Sequence, residues 1–484
     1  MATEQWVLPA VLGILGVTVF AGCGANGPVN GQGAGAPPAL RGEALASASP
    51  RAEVRSDPGA PAEDALEEAG AGVAEARGGA TPEGVADAAV LDRGRFVAAV
   101  LARNPSVSAA RQAWRAAKSR RVQREALDDP MLSYSFAPLS IGSGMRYGQT
   151  VELSQRFPWP GKLGSLGDAA EAEADEAAER YQAVKLDLAL AASMLYDDYY
   201  LVARSLDINR EHQSLLEQLQ QSAQARYGVG RGSLQDPLQA EVERVRLVHD
   251  AIVLEADRAV TVARMNALLH RPSNAELPPP PVELAISTEA PAAPAVLHER
   301  ALGQRSELRA FAARVRALEA RRRFAEREYY PDFTLMLSYS SMWESIEHQF
   351  MVGVAAPIPI QRGARGGARE EASALGAEAR QELKAQALEI QRDVDVARAR
   401  VVEALQIVEL YEGKLLPLAR DRLRAALAGF EADANDFSAV ITAENRLRQD
   451  QLGYHAAKAD LSKRQAELAR ATGEAPALGG EGAR

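Results

Sequence analysis

Chemistry in this chain would have to come from very few side chains. Its 484 residues include one cysteine, Cys23, and six histidines, His212, His249, His270, His298, His348 and His455, each standing alone. A zinc hydrolase needs paired histidines one helical turn apart, and a redox centre needs a close thiol pair. Neither pattern occurs, so each histidine reads as a surface or interface residue. Gly228-Val-Gly-Arg-Gly232 has the look of half a dinucleotide fingerprint. It lacks the full glycine spacing, and no strand leads into it. Met194, close to Asp197 and Asp198 in SMLYDDYY, offers a soft sulfur beside carboxylates. Core packing beside carboxylates on a helix surface is the better reading. No metal site, no cofactor and no catalytic constellation is implied, and an enzyme is not expected.

Composition points to helices rather than to a reactive pocket. The chain is 47% hydrophobic but only 5% aromatic, with alanine and leucine dominant, which favours long helices. A net charge of −10 gives no basic footprint for nucleic acid. Residues 1–22 read as a signal peptide, with an apolar run from Val7 to Gly22. The run ends in Phe20-Ala21-Gly22-Cys23, which resembles a bacterial lipobox and implies lipidation at Cys23. By the same analogy Gly24 favours the outer membrane. The alternative is an ordinary signal peptide followed by an unmodified thiol. Residues 23–85 are rich in Ala, Gly, Pro and Glu without periodicity, and read as a flexible tether.

The remainder repeats itself at an interval of about 200 residues. ALDDPMLSYSF (126–136) answers REYYPDFTLMLSYS (327–340), with Pro130 matching Pro331. FPWPGK answers APIPIQRG, so Pro158 and Pro160 match Pro357 and Pro359. YGVGRGSLQDPLQAE (227–241) answers FEADANDFSAVITAE (430–444). The expected division is a first repeat over 86–271, a Pro-rich link over 272–294, a second repeat over 295–473 and a disordered tail over 474–484.

Each repeat reads as a helix, two strands and two very long helices. Leu132, Tyr134 and Phe136 alternate with serines. Val151, Leu153 and Phe157 alternate with Thr150, Glu152, Ser154 and Arg156. Phe333, Leu335, Leu337 and Tyr339 share a face, and so do Phe350, Val352, Val354 and Ala356. Runs of about ten residues suit tilted strands crossing hydrocarbon. Val394, Ala397, Val401, Ala404, Val408, Tyr411 and Leu415 follow a heptad seam, as do Leu195, Tyr199, Val202 and Leu206. Gly167 to Tyr227 would make a rod of roughly 90 Å. Pro158, Pro160 and Gly161 turn the first strand pair into its rod, and Pro357 and Pro359 do so in the second half. Gly228, Gly230 and Gly232 make one reversal at a rod's end. Either Ser233 or Asp236 caps the next helix; Asn435 and Asp436 are the cap candidates at the other reversal.

Four strands cannot close in a membrane, because their edges would leave unpaired backbone groups in lipid. Closure takes at least about eight. Either the strands lie outside a membrane or several copies pool them.

The order of elements, the duplication, RFPWPGKL and LLPLARDRLRAALAGFEADANDFSAVITAENRLRQDQ (415–451) together resemble the TolC-type outer-membrane efflux factors, over roughly residues 88–473. RFPWPGKL is most similar to the branch that serves heavy-metal pumps. The resemblance implies a mainly α fold with a small β portion. Long coiled-coil helices would form a periplasmic α-barrel, and four transmembrane strands per chain would be pooled in a twelve-stranded β-barrel. It implies a homotrimer in outer-membrane lipid, working with a periplasmic adaptor and an inner-membrane RND-type transporter as the exit duct for metal cations or small toxic molecules. Tyr227, Gly228, Gly230 and Asp236 would lie at the periplasmic entrance or meet the adaptor. Phe430 matches Tyr227, while Asp433 stands where glycine is usual. Asp433 and Asp436 could form an acidic collar, or serve only as caps and solvated charge. The rival is a lipid-anchored coiled-coil scaffold or adaptor without a pore.

Overall fold

The computed structural model describes residues 89–138, 148–342 and 346–475. The signal peptide, Cys23 and the tether lie outside them. The elements run α1 (Arg93–Arg103), α2 (Pro105–Glu125), β1 (Met131–Ala137), β2 (Gly148–Phe157), α3 (Lys162–Gly228) and α4 (Gln235–Leu268). The order then repeats as α5 (Pro294–Gln304), α6 (Ser306–Arg327), β3 (Phe333–Met342), β4 (Ile346–Ala355), α7 (Arg362–Leu410), a π turn (Tyr411–Leu415), α8 (Leu416–Glu431) and α9 (Phe437–Thr472). At 67 residues, α3 alone is roughly 100 Å long. Among the described residues, no helix is long and apolar enough to cross a membrane.

The strands form one antiparallel sheet in the order β1-β2-β3-β4. Its register sets Leu132 beside Leu153, Leu153 beside Leu337, and Leu337 beside Val352. Tyr134, Val151, Tyr339 and Phe350 form a second such row. The four apolar sets thus fall on one face, with serines, Thr150, Glu152 and Arg156 on the other. Ala356 lies past the end of β4. Leu132, Tyr134, Phe136, Phe350, Val352 and Val354 are exposed on that apolar face. No described strand pairs with the outer edge of β1 or of β4.

The rods pack by the seams their sequences carry, with three corrections. Val394, Val401, Ala404 and Val408 are buried, as the heptad requires, but Leu415 is only half-buried. Beyond the π turn the seam restarts one residue later, at Leu416, Ala419, Leu423, Ala426 and Phe430. Pro417 supplies the reason: its ring crowds the carbonyl four residues earlier and it has no N–H to donate, and a π turn absorbs both defects. In the first half the buried face is broader than a seam. Tyr196, Tyr199 and Tyr200 are all fully buried with Phe96, Met265 and Leu269. Asp197 is no surface carboxylate: it is 0% exposed and is held by Arg93, which also donates to Ser462. Asp198, the surface member of the pair, meets Lys463. Burial raises the Asp197 carboxyl to about 6 although Arg93 opposes the shift.

Residues between α4 and α5 form an ordered strap. Leu277 and Leu284 are buried, Tyr199 donates to the Pro278 carbonyl at 3.1 Å, and the Leu91 N–H donates to Pro279 at 2.9 Å. At the other end, Gly473 closes α9 in the left-handed conformation and Glu474 pairs with Arg300 at 3.6 Å. Glu474 is therefore part of the fold and not of a disordered tail, while 476–484 lie outside the described residues.

Candidate functional site

Two places on the rods carry the residues of interest: the corner where a strand becomes a rod, and the pair of reversals at the far end.

At the first corner β2 ends at Phe157, and Pro158-Trp159-Pro160 leads to Gly161, whose φ of 85° suits glycine alone among common residues. A side chain there would also strike Arg327. Asp332, just before β3, holds the corner. It accepts from Arg156 Nη2 at 2.7 Å, from the Trp159 N–H at 3.0 Å and from Lys162 Nζ at 2.6 Å. Lys162 Nζ also donates to the Tyr330 carbonyl at 2.8 Å, and the Trp159 ring stacks on Tyr330 at 5.0 Å. Burial acts to raise the Asp332 carboxyl, but Lys162, the Trp159 N–H and Arg156 outweigh it and bring it to about 2. The second corner, Pro357 to Gln361, is open. Pro357, Ile358 and Ile360 are exposed, and Pro359 is half-buried.

The two reversals share one backbone solution. In the first, the Arg231 N–H donates to Arg226 at 2.9 Å and the Gly230 N–H to Tyr227 at 3.0 Å. In the second, the Ala434 N–H donates to Gly429 at 2.8 Å and the Asp433 N–H to Phe430 at 3.2 Å. This is the Schellman arrangement, which needs a left-handed residue after the helix end. Gly230 supplies φ 75° and Asp433 supplies φ 56°. Asp433 thus occupies a glycine position, which Asp tolerates better than most side chains.

Ser233 and Asp236 cap α4 together. Ser233 Oγ accepts from the Gln235 N–H at 3.1 Å, and Asp236 Oδ2 accepts from the Ser233 N–H at 3.3 Å. The helix therefore starts before Asp236, and Pro237 sits inside its first turn. Asp436 is the residue preceding α9, without a side-chain cap hydrogen bond. Tyr227, Gly228 and Gly230 are exposed, whereas Phe430 is buried against Phe437 at 5.2 Å.

Arg226, which sequence reasoning missed, ties the reversals together. It pairs with Asp433 and lies over the Phe430 ring at 4.5 Å. A core of Leu219, Ala223, Ala240, Leu423, Phe430 and Val440 binds both hairpins behind it. Farther along, His212 of α3 meets Glu444 Oε1 and Gln451 Oε1 of α9, each at 2.6 Å. Both His212 and Glu444 are buried. Burial would lower the His212 imidazolium, but the bonds to Glu444 and Gln451 win and raise it. Among the described residues, no group of His, Cys, Asp or Glu could hold a metal ion.

A four-stranded sheet with one exposed apolar face, continuous with rods of this length, suits a protein that inserts its strands in a membrane. The comparisons give the family. The model of the outer membrane efflux protein family matches residues 97–269 and 297–474. The chain belongs to that family, and is a TolC-type outer-membrane efflux factor with a helical periplasmic extension. Among solved structures it is similar to CusC, at TM-score 0.68 and 15% identity, over 83% of this chain and 96% of that one. It is also similar to VceC of Vibrio cholerae, at TM-score 0.67 and 16% identity, over 79% and 96%. The open-state channel MtrE of Neisseria gonorrhoeae gives TM-score 0.62 and 16% identity, over 79% and 89%. No curated protein matches in sequence.

Proposed function

We propose that three copies of this chain form the exit duct of a tripartite efflux system. They pool their strands into one outer-membrane barrel and their rods into one periplasmic tunnel. The duct accepts metal cations or small toxic molecules from an inner-membrane RND-type transporter through a periplasmic adaptor, and passes them unaltered. Cys23 anchors each copy by its lipid. The observation that carries this reading is the open sheet, whose exposed apolar face suits lipid while its backbone edges cannot stay unpaired there. The reversals, with Tyr227, Gly228, Gly230, Asp236, Phe430, Asp433 and Asp436, form the entrance and the adaptor's docking ground. A scaffold or adaptor would have no use for four strands with one apolar face.

Gel mobility of the detergent-extracted protein with and without boiling tests the assembly, and conductance across a planar bilayer tests the pore. A heat-sensitive trimer band together with discrete conductance steps is the expected result. A chain that stays monomeric in detergent and carries no current would overturn the reading.

A further inference from the structure

Partway along the rods, α4 and α9 both run beside α3 and scarcely touch each other. Between them lies a furrow of about 560 Å³, lined by all three helices. Its lining is sorted by character along its length. α3 runs away from the sheet, while α4 and α9 run back from the reversals. Leu201, Val253, Leu254 and Leu452 therefore share the end nearer the sheet. Asn209, His249, Asp250 and Arg448 share the end nearer the reversals.

Arg448 is short of acceptors. Its side chain is only 18% exposed, yet a guanidinium carries five N–H donors. One bond holds it, from Nη1 to Asp250 Oδ2 at 3.2 Å, and its Nε is buried without a partner. Buried donors as a rule find acceptors. Asn209 is buried beside it, and its carbonyl oxygen accepts from Gln213 at 2.6 Å, which leaves its amide N–H groups to donate. At the rim His249 is exposed and Asp250 half-buried.

We propose that the furrow binds a single-chain amphiphile with a carboxylate head. The head accepts from Arg448 and Asn209, and the chain lies against Leu201, Val253, Leu254 and Leu452. Water would satisfy Arg448 but leave the leucines wet, and a plain hydrocarbon would do the reverse. Asp250 already shares the guanidinium, so a monoanion fits where a phosphate dianion would be repelled. Arg448 and Ala456 mark the two ends of the furrow on α9, roughly 12 Å apart, which suits a medium-length chain. The volume and the mixed lining are those of a small-molecule site. An occupant there ties α4 of the first hairpin to α9 of the second. The site lies within one copy and does not rest on the duct reading.

The test uses the full chain in phosphatidylcholine nanodiscs without detergent, since detergents are themselves amphiphiles. The probe is decanoic acid carrying a terminal diazirine. Photolabelling and peptide sequencing should mark α4 near Val253 and α9 near Leu452. Unlabelled decanoate should compete, decanol about tenfold less well, and decylammonium least. Arg448→Leu should weaken labelling about tenfold. Leu452→Trp, which fills the apolar end, should abolish it, with helix content unchanged by circular dichroism in both variants. The head-group competition uses the unmodified chain, so it decides the matter even where a variant fails to fold. Labels confined to the apolar strands and undiminished by decanoate would mean partition into lipid only and would overturn the site. Decylammonium competing as well as decanoate would hand the head to Asp250 and overturn the carboxylate. Neither result touches the duct reading, which stands or falls on the trimer band and the conductance.

Discussion

The two ends of the long rod are held by different physics. At the corner, Asp332 gathers three donors from the other strand and the start of α3, and the Lys162 that it binds is buried. At the reversals, the polar link between hairpins, set in front of their shared apolar core, is one arginine on an aromatic ring and a carboxylate that is 62% exposed. A partly buried carboxylate with several charged partners is strong, and an exposed ion pair is weak. The difference teaches where this molecule can give. The rod's polar ties are strong where it leaves the sheet and weak where it turns back, where apolar packing holds the hairpins together. Between the two lies His212, whose buried bonds to Glu444 and Gln451 join α3 to α9.

Removing the clamp should have the largest effect. Asp332→Ala leaves Lys162 and Arg156 without their carboxylate and should cost about 3–5 kcal/mol, read as a fall in the chain's thermal stability in detergent. Gln361→Ala, at the open corner's counterpart of Lys162, should change stability by no more than about 0.5 kcal/mol. Equal effects at both would erase the contrast between the corners. The pH dependence follows from the depressed carboxyl. Its contribution is complete above the ordinary value of 3.8 and is lost as pH falls toward about 2. Asp332→Asn should remove that acid limb from a melting curve measured against pH.

His212→Leu should come next. Glu444 would be left buried without its imidazole partner, at a cost of about 2–3 kcal/mol. The pH dependence has the opposite sign to that of the corner. A raised imidazolium stabilises fully below its ordinary 6.5, and that contribution is lost as pH rises through the raised value. Hydrogen exchange of α9 amides should therefore speed up with alkali more than the chemical rate accounts for, and His212→Leu should abolish the excess. Arg226→Ala comes lower, at about 1 kcal/mol, because its ion pair with Asp433 is exposed and its remaining contact is a single cation–ring pair. Its signature should be local: faster exchange at the reversals with no change at the corner.

What the sequence discloses divides along the same line as these bonds. The duplication, the apolar side of each strand and the proline corners are local patterns, and RFPWPGKL announces a break in direction within eight residues. The strand faces emerge on one side of the sheet because alternation and register are linked. The clamp was not legible, since Asp332 lies 170 residues from Lys162 in the chain. Its only sequence trace is a carboxylate placed beside Pro331 in the repeat, where the first copy has Met131. Asp197 and His212 fail in the same way: both sit on helices whose polar spacing looks solvated until a distant partner covers them. The seam's slip at the π turn had a visible cause in Pro417 and a visible sign in Leu416, but a heptad read forward from Val394 runs straight through both.

The smallest effect separates the two reversals. Asp433→Gly would make the second turn chemically like the first. It removes the strain of a left-handed residue with a side chain, worth about 1 kcal/mol or less for Asp, and also removes an exposed ion pair of similar size. Stability should therefore move by less than about 0.5 kcal/mol. Ion selectivity should discriminate where stability does not. Arg226 balances Asp433, so Asp433→Gly leaves an uncompensated cation at the reversal; if the reversals form the entrance as proposed, this should shift bilayer conductance away from cations. Asp436 is exposed before α9 and makes no side-chain cap hydrogen bond, so Asp436→Asn should reduce cation preference without altering either turn. If neither change moves the reversal potential in a salt gradient, the acidic residues at this end act only as turn and cap.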